Sequence, residues 1–95
     1  MNHVNERTTV RQGLWFHGGV TPSHVRIERQ HTLPGSHDAD DPPEIAHDRE
    51  VECYCIRYEL PHSLTVWHDG GCTLSLREAL FMTQRRLGPV VFWDE

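Results

Sequence analysis

The chain has 95 residues, of which 37% are hydrophobic and 24% charged, and its formal net charge is -5 with neutral His. This length suits one small domain, and the composition is too apolar for a disordered chain. The acidic balance argues against a nucleic-acid-binding surface, and no apolar run approaches the roughly twenty residues of a membrane helix. We therefore expect neither nucleic acid nor a membrane as partner.

The N-terminal segment is polar and aperiodic over residues 1 to 12, and we expect it to fray. It contains no apolar stretch of the kind that a secretory signal needs, so the sequence predicts a cytoplasmic protein. Eight His make the chain His-rich. Their protonation would reverse the sign of the net charge in mildly acidic solution.

A first strand is predicted over residues 13 to 17, where a short apolar run is followed by the turn residues Gly18 and Gly19. A second strand is predicted over residues 24 to 33, because apolar and polar residues alternate there. The side that we expect to be buried carries Val25, Ile27 and Leu33, and the side that we expect to be wet carries Arg26, Glu28, Gln30 and Thr32.

The segment over residues 34 to 49 interrupts this pattern with prolines, a glycine and five acidic residues. Such a composition is typical of a loop, and its length is unusual for so small a domain. We expect an acidic, disordered loop. The alternative is a functional loop whose carboxylates are docked against the domain.

The third strand, over residues 50 to 60, is the most strongly predicted and is apolar on both sides. On the side assigned to the helix lie Tyr54, Ile56, Tyr58 and Leu60, and on the other side lie Val51, Cys53 and Cys55. A fourth strand is predicted over residues 63 to 68, ending at Asp69 and the two glycines that follow it.

One helix is predicted over residues 75 to 87. Ser75 and Glu78 have the spacing of a capping box, in which each side chain satisfies a free backbone N–H of the first turn. Gly88 and Pro89 indicate its end, and residues 90 to 93 predict a final buried strand. The fold class is therefore α+β: a mainly antiparallel sheet of four to five strands with the helix on one face, in the order β-β-loop-β-β-α-β.

Three cysteines and one histidine carry the main chemical hypotheses. Cys53, Cys55, His68 and Cys72 offer zinc-type ligands, but two cysteines one residue apart on a strand do not wrap around an ion, so we interpret Cys53 and Cys55 as buried apolar residues. Cys72 lies just before the helix, where the helix dipole can activate a thiol, and His68 is the nearest base. A thiol- or metal-dependent enzyme, or a zinc protein, using Cys72 and His68 is thus the alternative. We otherwise predict no catalytic, cofactor-binding or metal-binding residue and no disulfide framework.

Self-association follows from the covering of the sheet. One helix can cover only one face, so Cys53 and its neighbours on the other face, together with Trp15, Trp67 and Trp93, predict a homodimer. A protein partner or a small apolar ligand on that face are the alternatives. The function most consistent with the sequence is a small non-catalytic binding or protein-interaction module, of the kind expected for an orphan accessory protein of a phage or mobile element.

Overall fold

A computed structural model describes residues 7 to 89 and 91 to 94 of the chain. Its five strands form one antiparallel sheet in the spatial order β4-β3-β2-β1-β5, which confirms an α+β fold dominated by antiparallel sheet. In chain order the elements are β1 (Thr8–His17), β2 (Thr21–Leu33), α1 (Pro43–Ala46), β3 (Arg49–Leu60), β4 (Ser63–Thr73), α2 (Leu76–Leu87) and β5 (Val91–Trp93).

Helix α2 connects the two edge strands, β4 and β5, along the chain. It begins and ends as predicted. The Ser75 hydroxyl accepts a hydrogen bond from the Glu78 N–H at 3.1 Å, and its own oxygen lies 3.2 Å from the Glu78 carboxylate. At the other end, Gly88 has a φ of 118°, a conformation that L side chains rarely adopt, and its N–H donates to the Gln84 carbonyl. The capping box at Ser75 and the glycine at 88 therefore predict the two ends of the helix correctly.

The apolar core lies between α2 and one face of the sheet. Its buried members are Trp15, Val25, Ile27, Ile56 and Ala79. The partly buried residues around them include Tyr54, Tyr58 and Leu60 of β3, so the helix side of β3 was assigned correctly. Ile27 and Ile56 face each other in the β2–β3 register, which places them at the centre of this layer.

β1 and β4 are much longer than their sequence patterns indicate, and β2 begins at Thr21 instead of residue 24. β1 begins at Thr8, so residues 8 to 12 are paired with β2 and do not fray, whereas residues 1 to 6 lie outside the described residues. β4 passes through Gly70 and Gly71 and ends at Thr73. The glycines fit there because a side chain at Gly70 would meet Ile56 and because Gly71 has a φ of 100°. Both extensions arise from cross-strand pairing, which a single-strand pattern does not contain.

The final strand is shorter and more exposed than predicted. β5 has three residues and pairs with β1 at the sheet edge, and Phe92 on it is 60% exposed. Gly13 of β1 allows this pairing, since a Cβ there would overlap the Phe92 carbonyl oxygen. Residue 90, included in the predicted strand, lies outside the described residues.

The acidic segment between β2 and β3 contains the short helix α1, which the sequence analysis missed. The chain folds back on itself there: the Ser36 N–H donates to the Ile45 carbonyl and the His37 N–H to the Ala46 carbonyl, both at 2.9 Å. The Gly35 N–H donates to Asp48 at 2.9 Å and lowers the pKa of that carboxyl, with His37 nearby contributing in the same direction. The carboxylate of Asp48 thus ties the start of the segment to its end.

Candidate functional site

The far face of the sheet, opposite α2, is rich in charged and aromatic side chains. We define it by the residues that the strand registers and the alternation along each strand place on that side: Gln12, Leu14, Phe16, Pro22, His24, Arg26, Glu28, Gln30, Cys53, Cys55, Arg57, Glu59, Trp67, Asp69, Cys72 and Phe92. The sequence predicts an apolar surface here. The structure instead places a cluster of ion pairs at its centre and aromatic rings toward β1 and β5.

The centre of the far face is a row of side chains that crosses four strands. Gln12 of β1 lies opposite Arg26 of β2, Arg26 lies opposite Arg57 of β3, and Arg57 lies opposite Asp69 of β4. Two guanidinium groups in direct cross-strand positions repel each other. This row therefore needs carboxylates close to both arginines.

Glu28 and Asp69 provide these carboxylates. Glu28 Oε2 lies 2.9 Å from Arg26 Nε, and Glu28 Oε1 lies 3.6 Å from Arg57 Nε. On its other side, Arg57 Nη1 donates to Asp69 Oδ1 at 3.0 Å. The result is a charged cluster of four residues, Arg26, Glu28, Arg57 and Asp69, that alternates in sign across β2, β3 and β4.

Glu28 is the buried member of this charged cluster. Only 5% of the residue is exposed, which corrects the prediction of a wet side chain, and Gln30 is buried to the same degree. Its contact with Arg26 is an ion pair by distance without hydrogen-bond alignment, and Oε1 has no hydrogen-bond partner among the described residues. A buried carboxylate with an oxygen that accepts no hydrogen bond destabilises the fold unless cations lie close to it. Both arginines therefore hold Glu28 in place.

Trp67 packs on Arg26 and closes one side of a groove. The Arg26 guanidinium carbon lies 4.0 Å from the centre of the Trp67 ring, a cation–π contact that also shields the arginine from water. The groove has a volume of about 470 Å³, and Gln12, His24 and Asp94 contribute its other polar groups. Side chains of both signs line it, so its electrostatics favour no single class of ion.

A hydrogen bond between His24 and Glu59 lies beside the groove. His24 Nδ1 is 2.9 Å from Glu59 Oε1, and the His24 side chain is exposed while that of Glu59 is nearly buried. The Glu59 backbone carbonyl also accepts a hydrogen bond from the Trp15 indole at 3.1 Å. Glu59 therefore connects the far face with the core beneath the helix.

The aromatic patch of the far face consists of Leu14, Phe16 and Phe92. The rings of Phe16 and Phe92 meet edge to face at 5.7 Å, and Leu14 lies opposite Phe92 in the β1–β5 register. Phe92 is among the most exposed large apolar residues of the described chain. This patch adjoins the charged cluster and is the apolar part of the far face that solvent can reach.

The cysteines do not form the zinc-like set considered from the sequence. Cys55 and Cys72 face each other in the β3–β4 register and form a disulfide, which overturns the expectation that no cysteines pair. Cys72 is thus part of a strand and is not a loop residue beneath the helix. Cys53 is a free, fully buried thiol, as predicted, and burial raises its pKa.

His68 lies away from Cys72. It pairs with Tyr58 on the helix side of the sheet, with the two rings 5.5 Å apart, whereas Cys72 lies on the far face. The irregularity between the Cys55–Cys72 pair and the Arg57–Asp69 pair accommodates the glycines between them. The hypothesis of a Cys72 thiol activated by His68 therefore has no geometric support.

The three tryptophans are divided between the two faces. Trp15 and Trp93 belong to the core beneath α2, and Trp67 alone lies on the far face. Cys53 and Cys55 are fully buried within one copy of the chain, so they do not form the accessible apolar surface expected of them. The aromatic patch is the feature that sequence reasoning missed, because the position of Phe92 depends on the pairing of β5 with β1.

No group of three or more His, Cys, Asp or Glu within the described ranges is placed to hold a metal ion. Neither of the described helices has the length and apolar character required to cross a membrane. No protein-family model, no curated protein and no solved structure matches the chain.

Proposed function

We propose that this chain is a small non-catalytic binding module that forms a homodimer through its far face. The aromatic patch carries the proposal, because Phe92 is 60% exposed at the edge of a sheet face that α2 does not cover. Exposed apolar area of this kind on a small domain is commonly the site of an interface. A second copy of the chain is the occupant that we propose.

The charges around the patch are compatible with such self-association. Two polar groups of the far face project into solvent: the side chain of His24 is 69% exposed and that of Asp69 is 72% exposed. In an isologous contact, each copy offers the same surface in opposite orientation. A two-fold axis through the aromatic patch would place Phe16 and Phe92 of one copy against those of the other, with His24 and Asp69 outside this apolar centre.

The buried part of the charged cluster has a different role in this proposal. Glu28 and Arg57 are held by contacts within one copy, so they support the shape of the far face. The contact between copies then rests on Phe16, Phe92 and the exposed charges. Neither a nucleic acid nor a membrane is proposed as partner.

The dimer can be tested with two matched variants. Phe92 and Phe81 are both 60% exposed, but Phe92 lies on the far face and Phe81 lies on α2. Light scattering at micromolar concentration should give about twice the chain mass for the wild type and for Phe81→Asp. Phe92→Asp should shift the mass toward one chain, since a carboxylate in the centre of an apolar contact must be desolvated.

Two results would count against the dimer. A wild-type protein with the mass of one chain at that concentration would contradict it directly. Equal dissociation by Phe81→Asp and Phe92→Asp would place the contact elsewhere or show a general loss of folding, which circular dichroism of both variants separates.

We also propose a cytoplasmic location, and the disulfide provides its test. Cytosolic thiols are normally kept reduced, so a cytoplasmic protein should contain Cys55 and Cys72 mainly as thiols. Acid quenching of the cells, followed by denaturation, alkylation without reductant and mass spectrometry, should then show both cysteines modified, although Cys55 is buried in the folded chain. Protection of both by a disulfide in the cell would contradict this location.

A further inference from the structure

A cleft of about 620 Å³ lies at one end of the sheet, between the C-terminal end of α2 and the turn that joins β1 to β2. We call it the basic cleft. Trp15 and Leu87 line it from the core side, and Phe16 and Phe92 line it from the sheet. Its volume falls in the range of small-molecule sites, and rings on several sides suit a flat apolar body.

Three glycines border the basic cleft. Gly18 and Gly19 in the turn and Gly88 at the end of α2 all line it. A Cβ added at any of the three would meet nothing within 4 Å. All three have positive φ values, so the turn and the helix end hold them in conformations that larger residues seldom adopt.

The charge of the basic cleft is opposite to that of the whole chain. Arg85 and Arg86 line it, and no acidic side chain does so among the described residues. Neither guanidinium has a carboxylate partner within the part of the chain that the structure describes; Arg85 contacts only the Phe81 ring, at 5.8 Å. Other arginines of the described chain also lack an ion pair, so the distinguishing feature of Arg85 and Arg86 is that two adjacent cations border the same apolar cavity.

Two backbone N–H groups at the cleft are already used. The Gly88 N–H donates to Gln84 and the Gly19 N–H donates to Phe16, and the C-terminal end of a helix has a partial negative charge. The two guanidinium groups are the cationic donors that line the cleft. They can each contact a carboxylate or sulfonate oxygen through more than one N–H.

We propose that the basic cleft binds a small aromatic anion, with its rings between Leu87 and Phe16 and its acidic group at Arg85 and Arg86. This proposal names a ligand class for the binding module and rests on that proposed function. It does not depend on the dimer. The dimer contact shares only the Phe16–Phe92 wall with the cleft.

The location can be tested with anilinonaphthalene sulfonate, an aromatic anion, as the probe. In a nuclear magnetic resonance titration, the amide signals of Gly18, Gly19 and Gly88 should shift with one saturating curve. Gly70 and Gly71 of β4 are the matched controls, since Gly71 faces Met82 and Cys72 follows it at a second groove that Arg85 and Arg86 also border. Shifts at these two glycines without shifts at the first three would overturn the proposal.

The charge requirement can be tested by comparing this probe with phenylnaphthylamine, which has the same rings and no sulfonate. The double variant Arg85→Gln, Arg86→Gln should bind the sulfonate probe about tenfold more weakly than the wild type does. Its affinity for the neutral probe should be nearly unchanged. Arg49→Gln with Arg77→Gln, two exposed arginines outside the cleft, should alter neither affinity. Equal weakening of both probes, or no saturable binding of the sulfonate by the wild type, would contradict the proposal.

Light scattering of the same samples separates the two proposals. A dimer that binds no sulfonate refutes the ligand site and leaves the dimer standing. A monomer whose Gly18, Gly19 and Gly88 signals shift refutes the dimer and supports the ligand site.

Discussion

In β2 and β3, neighbouring residues point to opposite faces of the sheet and meet opposite surroundings. Ile27 and Ile56 are buried beneath α2 among apolar side chains. Next to them in the chain, Glu28 and Arg57 enter the charged cluster of the far face. Glu28 is almost as buried as Ile27, so burial alone does not distinguish the two faces. The helix face is stabilised by apolar area removed from water, whereas the far face depends on matched charges and a disulfide.

Removing apolar volume from the helix face should have the largest effect on stability. Ile56→Ala leaves a cavity next to Ile27, and we expect a loss of about 2 to 5 kcal/mol in the free energy of unfolding. Urea denaturation followed by fluorescence measures it. Val66→Ala on the exposed edge strand is the control, with an expected change within about 0.5 kcal/mol.

Substitutions at Gly70 and Ile56 together test the contact between β4 and the apolar core. A Cβ at Gly70 would lie 2.9 Å from Ile56 Cγ2, so Gly70→Ala should destabilise the wild type. The same change in the Ile56→Ala background should cost less, because the clashing methyl group is gone. Additive effects of the two substitutions would contradict the contact between β4 and the core.

Reducing the disulfide of the far face should have the next largest effect. Cys55 and Cys72 are 17 residues apart in the chain, and opening such a loop typically costs about 2 to 4 kcal/mol. Urea denaturation with and without a phosphine reductant measures the difference. Cys53→Ala, which retains the disulfide, should show the same difference between the two conditions.

Alkylation of the purified, oxidised protein checks the assignment of the thiols. Cys53 should resist iodoacetamide at pH 8 in the folded state, since it is fully buried and burial raises its pKa above the ordinary value. After unfolding without reductant, one thiol per chain should react. Three reactive thiols would show that the disulfide does not form under these conditions.

Neutralising the buried carboxylate of the far face should have the smallest effect of the three. Glu28→Gln leaves Arg26 and Arg57 facing each other without the carboxylate between them, and we expect a loss of about 1.5 to 3 kcal/mol. Urea denaturation again measures the change. Glu50→Gln, an exposed substitution on β3, is the control and should have little effect. A stability equal to the wild type would show that the charged cluster is not a structural element of the far face.

Local patterns account for what could be predicted about the fold. The spacing of Ser75 and Glu78 and the glycine at 88 placed α2, because capping involves residues within one turn of each other. The alternation in β3 correctly separated Ile56 and its neighbours from Cys53 and Cys55. Both signals are complete within a dozen residues of sequence.

The candidate site could not be predicted in the same way. Arg26 and Glu28 alternate visibly in β2, but the chain order does not show that Arg57 and Asp69 complete the row. The disulfide was missed for the same reason, since Cys72 follows two glycines that indicated the end of a strand. Phe92 was placed in a buried strand because an apolar run does not show which strand it pairs with or whether it lies at an edge.

The sequence by itself determined helix α2, the approximate positions of the strands and the two faces of β3, because helix and strand periods and caps act between near neighbours. Tertiary structure decided which strands are adjacent and in what register, and hence which charges meet. A shift of one residue between β2 and β3 would move Glu28 to the helix side and Ile27 to the far face. The register is selected because it buries all the apolar core residues beneath α2. The free energy of this burial is gained only when the sheet and the helix are assembled.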